Sequence, residues 1–103
     1  MQRKKAPERR RSLLDLRLFV AGSGELSLRT IDSVKRACEK YAPGRYRLSI
    51  VDIYLEPEAA ALDQVVAVPT LIQRSPAPMR MFVGAIHSPR DLDRPFSCLP
   101  AMG

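Results

Sequence analysis

The first half of the chain changes its hydrophobic period at residue 22. From Leu14 to Ala21 (LDLRLFVA) every second residue is apolar, which is typical of a β-strand with one buried face. After Gly22-Ser23-Gly24, apolar residues recur at three- and four-residue steps as far as Tyr41, which predicts an amphipathic helix with Ser27 as its N-cap. The predicted buried face of this helix consists of Leu28, Ile31, Val34, Ala37, Cys38 and Tyr41.

The next apolar segment, Tyr46 to Ile53 (YRLSIVDI), has few polar residues after Ser49. This pattern predicts a strand that is covered on both faces. A strand, a helix and a second strand in this order form a βαβ unit, whose right-handed crossover makes the two strands parallel members of one sheet.

The second half predicts a short helix and two further strands. Glu56 to Asp63 (EPEAAALD) carries Pro57 at a first helical position and three alanines after it, which favours a helix. Val65 to Ile72 is rich in β-branched residues but contains Pro69. Because proline cannot donate a ladder hydrogen bond, a central strand has to begin at or after it. A final strand is expected from Met79 to Val83.

Beyond Gly84 the pattern weakens. Ser88-Pro89 is able to open a last helix, but Pro95 and Pro100 would interrupt it within two turns. We therefore expect three parts: a basic disordered arm at 1–12, a folded domain at 13–94 and an irregular tail at 95–103. The predicted fold class is α/β, with element order β-α-β-α-β-β and a doubtful terminal helix.

The charge of the chain is concentrated at its start. The 103 residues carry 17 Lys and Arg against 11 Asp and Glu, a net charge of +6. Residues 1–11 hold six of the basic side chains and one acidic side chain, a net +5, so the remainder carries about +1. Such an arm attracts nucleic acid or an acidic protein surface through its field. It has no aromatic residue on which a base could stack, so we expect a solvated segment and not a nucleic-acid site.

Residue types that carry catalysis or bind metals are scarce. The single histidine, His87, excludes a two-histidine metal site, and Cys38 and Cys98 form no CxxC. Gly22-Ser23-Gly24 completes neither of the common phosphate-binding motifs. No apolar stretch approaches the ~18 residues of a membrane span. We expect a cytoplasmic, non-enzymatic protein without cofactor, metal or membrane contact, in which Cys38 is a core residue.

Val68-Pro69-Thr70 in front of a predicted strand resembles the thioredoxin-like architecture. That resemblance implies a cis peptide bond before Pro69, and a redox-active CxxC directly after the first strand. Here that place holds Gly22-Ser23-Gly24-Glu25, which supplies no thiolate for disulfide exchange. A thioredoxin-like oxidoreductase that uses Val68-Pro69 to hold a peptide is therefore the weaker alternative.

Five segments in sequence resemble the KaiB family of circadian clock proteins. They are LFVAG at 18–22, SLRTIDSVKRACEKY at 27–41, YRLSIVDIYLEPEAA at 46–60, VAVPTL at 66–71 and SPAPMRMFVG at 75–84. The resemblance implies a non-enzymatic protein that binds a KaiC-type ATPase ring and modulates its phosphorylation cycle and its recruitment of partners, among them a sensor kinase or another clock regulator.

The resemblance also implies two folds for one sequence. One is a thioredoxin-like monomer, βαβ-αββ(α) with a mixed sheet, and the other, βαββααβ, assembles into dimers or tetramers. The fold-switch positions would be Val68, Pro69, Pro76 and Pro78. Outside a clock, the alternatives are a stress adaptor or an adaptor that binds nucleic acid through its basic arm.

Three positions match the family's partner-binding pattern: Arg29 in the first helix, and Arg80 and Gly84 in PMRMFVG. Other positions depart from it, because Ala85 stands where aspartate is usual and Met81 where a second basic residue is common. These departures, together with the basic arm, indicate a divergent member of the family.

Overall fold

The computed structural model of the chain describes residues 13–84. The predicted arm at 1–12, the last helix at Ser88, the tail at 95–103 and Cys98 lie outside the described residues. The elements are, in chain order, β1 (Leu14–Val20), α1 (Glu25–Tyr41), β2 (Tyr46–Asp52), α2 (Pro57–Leu62), β3 (Thr70–Ser75) and β4 (Arg80–Val83). The predicted order β-α-β-α-β-β is confirmed, including the start of β3 directly after Pro69.

The four strands form one mixed sheet in the order β2-β1-β3-β4. β1 and β2 are parallel, with Leu14 opposite Tyr46 and Val20 opposite Asp52, as the βαβ unit requires. β3 runs antiparallel to β1, and β4 runs antiparallel to β3. The first strand in the chain therefore lies inside the sheet, with neighbours on both sides.

The alternation in β1 separates two hydrophobic clusters. Leu14, Leu16, Leu18 and Val20 face α1, where they form the larger cluster together with Val34, Ala37, Cys38, Ala42 and Leu71. Phe19 points to the opposite face and packs with Val51 and Ile72 under the α2 segment. A period-two strand between two helical layers thus buries both of its faces, because the second face is apolar near its carboxyl end.

The start of α1 differs from the prediction. The helix begins at Glu25 with Gly24 as its N-cap, and Ser27 is a buried residue of its first turn. The Ser27 hydroxyl donates to the carbonyl of Ala21 at 3.0 Å and so fixes the turn between β1 and the helix. Leu28 was predicted to be buried but is 57% exposed, since Thr30 takes the buried position and donates its hydroxyl to the Leu26 carbonyl at 2.9 Å.

The prediction that the second strand is covered on both faces is wrong. β2 lies at the edge of the sheet, and Val51 is its one buried residue. Sequence hydrophobicity indicates that a strand packs on apolar neighbours but not how much of each face they cover, so an apolar edge strand resembles one that is covered on both faces.

Candidate partner-binding surface

The loops at one end of the sheet form the candidate site. Val20, Asp52, Thr70 and Val83 lie at the same end because the strand registers pair Val20 with Asp52, Phe19 with Thr70, and Thr70 with Val83. We call this the upper end, and we call the end with Leu14, Tyr46 and Ser75 the lower end. The upper end carries the β1–α1 turn, the β2–α2 turn and the segment before β3.

A groove of about 270 Å³ opens at the upper end. It is lined by Val20, Ala21 and Leu26, from the end of β1 to the start of α1, and by Val68 and Pro69 in the segment before β3. The Val68–Pro69 peptide bond is cis, as the thioredoxin-like resemblance predicted. The groove thus lies between the start of a helix and a cis-proline segment, the place where a redox-active relative would hold its cysteine pair.

None of the residues between 13 and 84 that line the groove is a cysteine. Cys38, the cysteine in that range, is fully buried in the α1 core, as predicted. Burial, assisted by the negative charge of Glu39, raises the pKa of the Cys38 thiol to about 12, so it stays protonated and unreactive at neutral pH. The described residues therefore form a groove without the nucleophile of disulfide exchange.

A hydrogen-bonded clamp joins the two turns of the upper end. The Asp52 carboxylate accepts the backbone N–H groups of Gly22 and Tyr54, each at 2.9 Å. Gly22 has a φ of +77°, and a Cβ at this position would meet the Tyr54 ring at 3.3 Å. Sequence reasoning missed the roles of Asp52 and Tyr54, although an acidic residue at the end of a strand, before a proline-led helix, is a turn signal.

Two of the three predicted partner-binding residues lie at the upper end. Arg29 is exposed on α1, and its guanidinium contacts the Glu25 carboxylate at 3.2 Å. Gly84, with a φ of +98°, donates its N–H to the Pro69 carbonyl at 3.0 Å beside the groove. Arg80 is opposite Gln73 at the far end of β4, so the structure does not bring it together with the other two.

The four proposed fold-switch residues are also divided between the two ends. Val68 and Pro69 line the groove, whereas Pro76 and Pro78 lie in the β3–β4 turn at the lower end, each after a cis peptide bond. The Pro76 carbonyl accepts a hydrogen bond from the buried Gln73 side chain at 2.7 Å.

An ion-pair cluster that the sequence did not reveal fastens the α2 segment to the sheet. The Asp63 carboxylate, which follows α2, contacts Arg17 of β1 at 3.0 Å and Arg74 of β3 at 3.4 Å. Its side chain is 18% exposed, so the pairs are partly shielded from water. This carboxylate connects three segments that are far apart in the chain.

Within residues 13–84, no group of three or more His, Cys, Asp or Glu residues is arranged to hold a metal ion. None of the described helices combines the length and the apolar character that a membrane crossing needs.

Solved structures share the architecture. The N-terminal domain of SasA from Synechococcus elongatus superimposes with a TM-score of 0.66 at 20% identity, over 81% of this chain and 78% of that domain. The germline-specific thioredoxin Deadhead from Drosophila melanogaster gives 0.65 at 18% identity, over 85% of this chain and 82% of its own. At these identities the likeness establishes the fold alone, which is thioredoxin-like.

Sequence relatives identify the family. A "Circadian clock oscillator protein KaiB" from Prochlorococcus marinus subsp. pastoris is 35% identical over 69 residues, which are 67% of this chain and 64% of that protein. A protein of the same name from Thermostichus vulcanus is 34% identical over 73 residues, covering 71% of this chain and 68% of the relative. The KaiB domain model matches residues 17–94. Because this match spans well over half of the chain, the chain belongs to the KaiB family.

Proposed function

We propose that this protein binds a KaiC-type ATPase ring and, without catalysing a reaction itself, modulates the ring's phosphorylation cycle and its recruitment of further partners. The observation that carries the proposal is the match of the KaiB domain to residues 17–94, together with a groove that no cysteine among residues 13–84 lines. A scaffold of this kind keeps the groove that holds a protein segment but lacks the cysteine pair of a redox protein in that groove. Its function would then be to bind another protein. Its site of action would be the cytoplasm, with a sensor kinase of the SasA type as a further member of the same system.

The partner-binding residues of this proposal lie at the upper end and along β4. Arg29 presents a planar guanidinium on an exposed helix face, a geometry that pairs with carboxylates in a way that lysine does not reproduce. Gly84 allows the backbone to turn beside Pro69, and Arg80 adds an exposed charge at the start of β4. Arg29 and Gly84 then belong to one contact, and Arg80 to its periphery.

Fold switching of the second half is part of the proposal. Eleven large hydrophobic side chains of the described residues are exposed, and seven of them lie between Tyr54 and Val83. Leu55, Leu62 and Val66 are 78%, 82% and 94% exposed. Monomeric proteins rarely leave large apolar surfaces uncovered, so this half has the composition of a segment that buries them in a second packing or in a homo-oligomer.

Native mass spectrometry with the cognate KaiC-type ring tests the proposal. We expect complexes in which several copies of this protein are bound to one ring, after incubation long enough for a slow conformational step. Incubation with a ring whose phosphorylation state is followed by gel mobility should show a changed rate of phosphorylation or dephosphorylation. If no complex forms at any incubation time, the proposed function is wrong.

A further inference from the structure

The upper end carries an aromatic side chain whose backbone is fixed but whose ring is not buried. Tyr54 is 73% exposed, its backbone N–H is bonded to Asp52, and its ring lies 3.3 Å from where a Cβ on Gly22 would stand. Tyrosines that are exposed and conformationally restrained are favourable anchors for protein contacts, since they bury a large ring on binding at a small entropic cost. Leu26, which is 56% exposed, lies in the first turn of α1 and lines the groove.

The charge around this surface indicates what kind of segment fits it. Glu25 lines the groove, and Glu56 and Glu58 follow Tyr54 in the β2–α2 turn and the first turn of α2. All three carboxylates are exposed, and Arg29 on α1 is paired with Glu25. Among the described residues, the turns at the upper end therefore present exposed carboxylates in a chain whose net charge is +6. Complementary charge is what steers and orients a partner on such a surface.

We infer that Tyr54 and the adjoining groove are the anchor of the protein interface, and that they receive a partner segment with an exposed apolar side chain flanked by lysine or arginine. Resting on the proposed function, this inference assigns the segment to the ATPase ring. The apolar side chain enters the groove between Leu26 and Pro69, the Tyr54 ring covers the rim, and the flanking cations face Glu56 and Glu58.

Asp52 acts on this interface as a positioning residue. Its carboxylate joins the β1–α1 turn to the β2–α2 turn through two hydrogen bonds of 2.9 Å, so the groove wall and Tyr54 are held in one arrangement. An asparagine at this position still offers a side-chain oxygen to both N–H groups, whereas an alanine offers none. The two substitutions therefore separate loss of positioning from loss of charge.

Equilibrium binding of Tyr54 variants to the immobilised ring tests the anchor. We expect Tyr54→Ala to weaken binding at least tenfold without lowering the melting temperature, which is the behaviour of an interface hot spot. Tyr54→Phe should bind like the wild type. Leu13→Ala is the matched control, because it removes an exposed apolar side chain from the lower end. Equal binding by Tyr54→Ala and the control would overturn the inference while leaving ring binding itself intact.

The positioning role and the charge are tested in the same assay. Asp52→Ala should weaken ring binding, and Asp52→Asn should restore most of it. The Glu56→Gln/Glu58→Gln double variant should associate with the ring more slowly than the wild type, and its association rate should depend less on salt. If the association rate is unchanged, the bound ring segment carries no flanking cations and the charge assignment is wrong. If the wild-type protein does not bind the ring at all, the proposed function fails, and this inference fails with it.

Discussion

At the residue scale, the Tyr54 ring limits the space for a side chain at position 22, and this gives a sharp prediction. Gly22→Ala should lower the free energy of unfolding by about 1–3 kcal/mol, because an L side chain is strained at its φ of +77° and the added methyl meets the Tyr54 ring at 3.3 Å. Gly44→Ala is the matched control, since Gly44 has a φ of +72° and nothing within 4 Å of the new Cβ. Urea unfolding should show a larger loss for Gly22→Ala, and combining it with Tyr54→Ala should reduce that loss to the level of the control. Equal losses for the two glycine variants would show that the ring contact is unimportant.

The buried thiol predicts a loss of stability at high pH. Burial and Glu39 raise the Cys38 pKa from 9.0 to about 12, so above pH 9 the unfolded chain releases a proton that the folded chain retains. The contribution of Cys38 to stability is therefore complete below pH 9 and declines as the pH rises towards 12. Urea unfolding at pH 8, 9 and 10 in a Cys98→Ser background should show this decline, and Cys38→Ala should make it smaller, with a remainder near pH 10 from Tyr46, whose pKa the hydrogen bond to Glu39 raises from 10.0 to about 12. An identical pH profile in Cys38→Ala would contradict the assignment.

At the element scale, α2 depends on Asp63 for its attachment. Asp63→Asn should lower the free energy of unfolding by about 1–2 kcal/mol, since it breaks partly shielded pairs with Arg17 and Arg74. Amide exchange in α2 should accelerate more than exchange in α1. Asp32→Asn is the control, because it breaks the exposed helical pair with Arg36, worth about 0.3–0.5 kcal/mol. Similar losses in both variants would show that the cluster does not fasten α2.

The elements also show what the sequence could predict. Local patterns predicted β1, α1, the start of β3 after Pro69 and the buried position of Cys38, because each depends on a period or on the chemistry of one residue. The edge position of β2 and the exposure of Leu28 depend on which surfaces meet in the folded chain, so no local window contains them. The same holds for the candidate site, in which Asp52 reaches Gly22, 30 positions away, and Asp63 reaches Arg17, 46 positions away.

At the scale of the whole molecule, the two halves differ in how completely they bury their apolar side chains. The main hydrophobic cluster is built mostly from β1 and α1, and four of the eleven exposed large hydrophobic side chains of the described residues precede Tyr54, whereas seven lie from Tyr54 to Val83. Exposed apolar area favours association at roughly 25 cal/mol per Å² buried, so the second half is the expected site of self-contact.

This difference predicts which substitutions change the oligomeric state. We expect analytical ultracentrifugation to detect dimers or tetramers of the wild type at micromolar concentration, and Leu62→Ser/Val66→Ser to shift the population to monomer. The two side chains are 82% and 94% exposed here, so their replacement should leave the melting temperature of the monomer unchanged. Leu28→Ser, at a position 57% exposed on α1, serves as the control and should keep the wild-type distribution. If the control also shifts to monomer, or if the wild type is monomeric at every concentration, the exposed apolar side chains of the second half do not form a specific self-contact.

Ring binding by the same double variant shows whether self-association and ring binding compete. If Leu62→Ser/Val66→Ser binds the ring faster than the wild type, the two contacts compete for the same chains, because preventing self-association increases the population of monomer that is free to bind the ring.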